Sequence, residues 1–323
     1  MKKKEYLKRI ILFLFSIVTI PLLAVFLAIT FYKKELTDLL IAQAKSTYGL
    51  SIEVGDTHVS LFENWPNGAI EITNVIASSD LSARNAPPLF KAKSISVSFN
   101  LQHLLQKRFI VNSVSLEDAA ITLVKDKAGI LNYKLKEQTD TAKTSSSLRF
   151  DLQKVHIKNV KLDFKNEEKD KHIAVLFRNN IIRLNTQNKI TNALITGNIQ
   201  IQELLFKQKK GPFLANTEAI VYLNTNIYPN KKLYFVDPSS YAVIDEEKYG
   251  LTAYVDLKED KKLTLKIDAP TANYKKAVRL MNTKIKKDLA KISVTNPVEV
   301  HATIIALIGV ILLIGIVKKN GIM

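Results

Sequence analysis

Five histidines, a scatter of carboxylates and no cysteine are what this 323-residue chain offers for chemistry. A metal site or a general base needs such groups to converge. Sequence announces that as histidines at i and i+4, a Glu-x-x-His run or clustered cysteines. His58, His103, His156, His172 and His301 show none of these spacings. The acids Glu117-Asp118 and Asp245-Glu246-Glu247 are sequence neighbours, and neighbours on a strand point to opposite faces, so they make poor catalytic pairs. No Gly-x-Ser-x-Gly elbow, phosphate loop or dinucleotide fingerprint is present. Trp65-Pro66-Asn67-Gly68 reads as a turn with a packing aromatic. Lack of cysteine excludes thiol catalysis, disulfides and Cys-ligated zinc. The expectation is a protein that is not an enzyme and holds no metal or cofactor.

Charge and pattern carry the rest. Lys+Arg number 47 against 30 Asp+Glu, a formal net charge of +17. The lysines are scattered mostly singly or in pairs, which argues against a nucleic-acid footprint and for a solvated surface facing anionic lipid headgroups. Ile10–Tyr32 is an uncharged apolar run. At about 1.5 Å per residue it is long enough to cross a hydrocarbon core of about 30 Å as a helix. It ends on Phe31-Tyr32-Lys33-Lys34 rather than a small-x-small cleavage site, so it reads as an uncleaved transmembrane helix instead of a signal peptide. The basic residues before it place residues 1–9 in the cytoplasm. Ala302–Val317 is a second apolar run of about 24 Å as a helix. It reads as a second transmembrane helix followed by tail 318–323, with an apolar end of a truncated chain as the rival reading.

Between these runs the hydrophobic period is mostly two, which predicts antiparallel strands with few short helices. Helices are expected at Glu35–Gly49 and Lys275–Lys291, with a helical turn at Leu101–Lys107. Early strands fall at Leu50–Val54, Gly68–Ala77 and Lys91–Leu101. Further pairs of short strands are read at Phe109–Leu116 and Ala120–Lys125, at Leu148–Ile157 and Val160–Asn166, and at His172–Phe177 and Ile181–Asn185. Ile130–Leu135 reads as another strand after the turn Asp126-Lys127-Ala128-Gly129. The polar stretch Glu137–Ser147 reads as a linker or long loop between a first β domain, 33–136, and a second β segment, 148–301. A long series of alternating strands makes one continuous apolar face, which is either an open groove able to hold acyl chains or an ordinary closed core.

The order of segments resembles the N-terminal part of the AsmA-like family of inner-membrane-anchored envelope proteins. The resemblance is carried by Tyr48–Val54, Ile70-Glu71-Ile72-Thr73-Asn74-Val75, Phe90–Val97, Ile110–Leu116, Ile121-Thr122-Leu123 and Asp126-x-x-Gly129-x-x-Asn132. Asn159-Val160 and Gly197–Ile201 follow the same cadence. It implies an elongated, folded-over sheet with a greasy interior and a chorein-like N-terminal cap, similar to bridge-like lipid transfer proteins. It also implies a bacterial inner-membrane protein with its main domain in the periplasm, and a role in phospholipid movement or outer-membrane assembly. Phospholipid, the membrane and envelope proteins are the expected partners, and nucleic acid is not. Family members usually continue for several hundred residues more, so direct transport by this chain would need partners or oligomers. The residues expected to face lipid are Ile95, Val97, Phe99, Ile121 and Leu123, and a charge at Val97 is expected to abolish lipid retention without unfolding the protein. The rival from another class is a closed β scaffold of an envelope complex. An envelope sensor is a weaker third, because only a short basic stretch precedes the first apolar run and little follows the second.

Overall fold

The computed structural model describes residues 34–269, apart from 36, 61–66, 84, 101–102, 104–105, 107, 137–147 and 257–262, and residues 274–289. Among these no helix is long and apolar enough to cross a membrane. This corrects the expectation of a transmembrane helix: the described helices are short, and strands carry the fold. The runs Ile10–Tyr32 and Ala302–Val317, with residues 1–9 and 318–323, lie outside the described residues, as does the polar stretch 137–147.

Helix α1 covers residues 37–48. Strands follow in order: β1 Leu50–Glu53, β2 Thr57–Ser60, β3 Asn67–Ser79, β4 Phe90–Asn100, β5 Phe109–Lys125, β6 Leu148–Asn166, β7 Lys171–Gln187, β8 Ile190–Leu205 and β9 Leu214–Tyr228. Then come β10 Leu233–Val236, β11 Tyr241–Ile244, β12 Glu247–Asp256 and β13 Leu263–Asp268, with α2 Tyr274–Arg279 and α3 Thr283–Leu289. The 13 strands of the described residues belong to one sheet, in which most strands pair with a neighbour in sequence. β1 and β2 lie end to end along β3, and β10 and β11 end to end along β9 and β12. The longest strand, β6, has 19 residues, about 60 Å of extended chain.

The sheet is mixed rather than purely antiparallel. β5 and β6 run parallel, from Phe109 beside Leu148 to Lys125 beside Asn166. A parallel pair needs a crossover that returns the chain to the starting end, which a hairpin turn cannot supply. Residues 126–147 fill that place in the chain. They begin with a turn instead of the strand expected at Ile130–Leu135: only Leu131 bridges back, to Lys125. Asp126 Oδ1 accepts the Ile130 N–H at 2.8 Å, and Gly129 takes φ +84°, a conformation that favours glycine. Asn132, 3% exposed, closes the turn. Its Nδ2 donates to Thr122 O at 2.7 Å and Pro87 O at 3.1 Å, and its Oδ1 accepts from Val124 N–H at 2.7 Å. The Asp-x-x-Gly-x-x-Asn signature is therefore a backbone clasp on the end of β5. Asn132→Ala should destabilise the protein by about 3 kcal/mol in a urea titration, because it strands buried backbone groups. An unchanged midpoint would remove the clasp from this account.

The helix expected over Lys275–Lys291 is broken in two. Asn282 Oδ1 accepts the Ile285 N–H at 3.0 Å and so caps α3, and a capping residue has non-helical backbone angles. The two helical ends cover different parts of the sheet. Leu39 and Leu40 of α1 pack against a cluster holding Ile70, Ile72, Val75, Val97, Phe99 and Val111. Leu280, between α2 and α3, packs near Ala219, Ile244 and Tyr249.

Candidate functional site

Residues opposite one another across a ladder share a face, so the register lists that face row by row. One row reads Ile70, Val97, Val114, Val155, Ile182, Ile195 and Leu223, from β3 to β9. The next reads Ile72, Ile95, Leu116 and Ile157, then meets Asn180 and Gly197 before Val221. Further along the strands a third row reads Val75, Ala92, Ala119, Val160, Phe177, Ile199 and Ala219. A fourth reads Ala77, Phe90, Ile121, Leu162, Val175 and Ile201. Over β3–β5 buried side chains such as Ile70, Val75, Ala92 and Val97 alternate with half-buried ones such as Ile95, Val114 and Leu116; over β6–β8 most are half-buried.

Between the second and third rows the apolar positions change phase. On β3 they pass from Ile70 and Ile72 to Val75 and Ala77, on β5 from Leu116 to Ala119, and on β6 from Ile157 to Val160. The extra residue in each is Asn74, Asp118 or Asn159, with φ of +51°, +49° and +53°. One extra residue inverts every later side chain of a strand. Taken up together across the sheet, it keeps the same face apolar on both sides of the line. Asn and Asp are the non-glycine residues that best tolerate positive φ. On β4 and β7 the line passes Lys93 and Arg178, which lie between paired neighbours opposite Asn74 and Asn159. Asn159 Nδ2 donates to Asp118 Oδ1 at 2.5 Å, and Lys93 Nζ stands 3.7 Å from Asp118 Oδ2. The Asn159 hydrogen bond, helped by Lys93 and opposed by desolvation, holds the Asp118 carboxyl below the usual carboxylate range. A depression of about 590 Å³ follows this line, lined among others by Lys91, Lys93, Asp118 and Lys161.

The opposite face is polar. Ser96 faces Glu71 and Ser115, and Ser98 faces Ser113. Ser94 donates to Glu71 at 2.5 Å, and Lys158 pairs with Glu117 at 2.5 Å. His301 lies outside the described residues, and His58, His156 and His172 stand on three different strands. His58 is exposed on β2 opposite Glu71, and His156 Nε2 lies 2.8 Å from Asn179 Oδ1. His172 Nδ1 meets Glu203 at 2.5 Å and its Nε2 meets Asp163 at 2.9 Å. That ring ties β6, β7 and β8 together, with both nitrogens occupied. Burial works to raise the Asp163 carboxyl, but Lys161 and His172 outweigh it and hold it below the usual range. Among the described residues no group of three or more His, Cys, Asp or Glu is placed to hold a metal ion.

No family model and no curated protein matches this chain. The AsmA-like resemblance therefore rests on the quoted residues alone.

Ile95, Val97, Phe99, Ile121 and Leu123 all belong to the apolar face. They differ in depth. Val97 and Phe99 are 5% and 2% exposed within the cluster under α1, while Ile95, Ile121 and Leu123 are half-buried. A charge at Val97 would strike the core itself, so it cannot separate lipid contact from folding. The phase line was missed at the level of sequence. Its signal is an apolar-x-Asn/Asp-apolar step repeated at Ile72–Val75, Leu116–Ala119 and Ile157–Val160.

Proposed function

We propose that this chain is a non-enzymatic, AsmA-like envelope protein that holds phospholipid acyl chains along the apolar face of its sheet. The observation that carries the reading is the aligned phase switch, which keeps one face apolar along both arms of each strand from β3 to β7. We read the shared line of left-handed residues as a crease along which the sheet folds, with the apolar rows inside. The free energy is that of burial, about 0.8 kcal/mol for each CH₂ removed from water. One acyl chain lying across the rows therefore gains several kcal/mol with no bond made or broken. The polar outer face and the lysines along it suit solvent and anionic headgroups.

Val175 and Leu176 give a paired test, because they are adjacent in β7, both half-buried, and on opposite faces. A photo-crosslinking amino acid is placed at each position in turn in the full chain, and adducts are read by mass spectrometry after irradiation in bacterial cells. Phospholipid adducts at Val175 and not at Leu176 are expected. Protein adducts alone at Val175, or equal lipid labelling at both, would favour the closed scaffold.

A further inference from the structure

The outer, polar face of the sheet carries a hollow of its own. Register stacks two polar rows there: Glu71, Ser96, Ser115 and His156 from β3 to β6, and beside it Ser98, Ser113 and Lys154 from β4 to β6. With Ser94 and Glu117 they line a depression of about 340 Å³. That is within the range of small-molecule sites, which begin at about 300 Å³. Ser98 is 3% exposed and Ala69 opposite it 1%, although both belong to the outer face, so the hollow reaches below the surface there. The Ser98 hydroxyl has no hydrogen-bond partner among the described residues, and neither do those of Ser96, Ser113 and Ser115. Native structures keep few buried polar groups unpaired. A row of serines alone would be an ordinary wet face, but a hydroxyl buried this deeply and turned into a hollow takes its partner from outside the chain.

The lining decides what fits. Glu71 accepts from Ser94 through Oε1, and Glu117 accepts from Lys158 through Oε1, so each carboxylate keeps Oε2 for another donor. His156 is held by Asn179 through Nε2, which leaves Nδ1 for a ligand. The two carboxylates are set against two ammonium groups, Lys154 and Lys158, so the hollow has no net charge when His156 is neutral. An anion would meet Glu71 and Glu117, and a metal ion finds no three ligating side chains grouped to hold it among the described residues. An acyl chain would leave the hydroxyls without partners, which is unfavourable. Serine hydroxyls both donate and accept, carboxylates only accept, and an ammonium only donates. The complement is a ligand with many small groups that do both, which is the chemistry of neighbouring hydroxyls on a ring. We propose that this hollow binds a neutral saccharide, one sugar ring lying across β4 and β5 with its hydroxyls shared among Glu71, Glu117 and Ser98. The site lies on the face opposite the apolar rows and does not depend on lipid being held there.

Saturation-transfer NMR on the full chain, in a detergent without a sugar headgroup, tests this with the methyl glycosides of glucose, galactose, mannose and N-acetylglucosamine as probes. At least one should give a signal that saturates with concentration. Its Kd should rise about tenfold in E71Q, which takes the charge from an acceptor, and about fivefold in S98A, which removes one neutral hydrogen bond. Either variant decides the matter provided that it keeps the circular dichroism spectrum of the unmodified chain. T186A, which removes an exposed hydroxyl elsewhere on the sheet, should leave the Kd unchanged. Maltotriose and chitotriose, run beside the single rings, distinguish a lone sugar from one unit of a glycan. No signal from any probe, an unchanged Kd in the folded E71Q and S98A, an equal loss in T186A, or displacement of the sugar by inorganic phosphate would overturn the proposal.

Discussion

Deleting the single residue Asn159 is expected to abolish the folded state, whereas Asn159→Gly is expected to preserve it. Asn159 takes φ +53° and absorbs the extra position in β6. Without it, either the first or the second half of the strand must present its side chains to the wrong face. Val160, 2% exposed, would turn outward with Leu162 and Phe164, and Lys161 and Lys165 would turn in. Each displaced apolar side chain forfeits about 1.5–3 kcal/mol. Three of them with two inward lysines approach or exceed the roughly 5–15 kcal/mol that holds a domain together. Glycine adopts the same φ without strain, so Asn159→Gly loses only a solvent-exposed hydrogen bond to Asp118. Far-UV circular dichroism and limited proteolysis of the two variants decide the matter. A deletion variant that stays folded and protease-resistant would mean that β6 slips its register freely.

Gly197→Ala should be the most damaging single substitution, at about 4 kcal/mol, combining strain at an unfavourable φ with overpacking. Gly197 sits at φ +141° opposite Asn180, and a Cβ there would lie 2.2 Å from Asn179 O and 2.6 Å from Asn180 Nδ2. The first of these neighbours is backbone, so removing the Asn180 side chain as well should not restore the loss. Asn180 is fully buried and neither amide atom has a hydrogen-bond partner. Urea denaturation of Gly197→Ala and of the double variant with Asn180→Ala measures both statements. A double variant as stable as the unmodified protein would show that the amide, and not the Asn179 carbonyl, sets the clash.

The apolar face was legible where alternation is clean. Ile95, Val97 and Phe99 on β4 fall on one side by period two alone, and the structure puts them there. What alternation could not reveal was its own interruption. Phe109–Leu116 and Ala120–Lys125 read as two strands but are the single strand β5, and β6 and β7 were divided in the same way. In each case the break fell at the phase line, because a skipped beat in a period-two pattern looks like the end of a strand. The residue in the gap, Asp118 or Asn159, is also a common turn former, which reinforced the misreading. The parallel β5–β6 pair was beyond reach for another reason. Antiparallel neighbours are announced by tight turns, while a parallel neighbour depends on where a crossover delivers the chain.

That parallel ladder also orders events in time. Every antiparallel ladder between β6 and β9 can close from a nearby turn and grow outward, and so can β3 with β4. β5 and β6 meet only when residues about 40 apart come together along nearly their whole length, which is entropically costly before any contact rewards it. The two meanders, β1–β5 and β6–β13, should therefore form early and separately, and the seam between them should set the folding rate. Until it closes, β5 and β6 each present a long bare edge, and this is the interval in which the newly made chain is most exposed to mispairing with another copy.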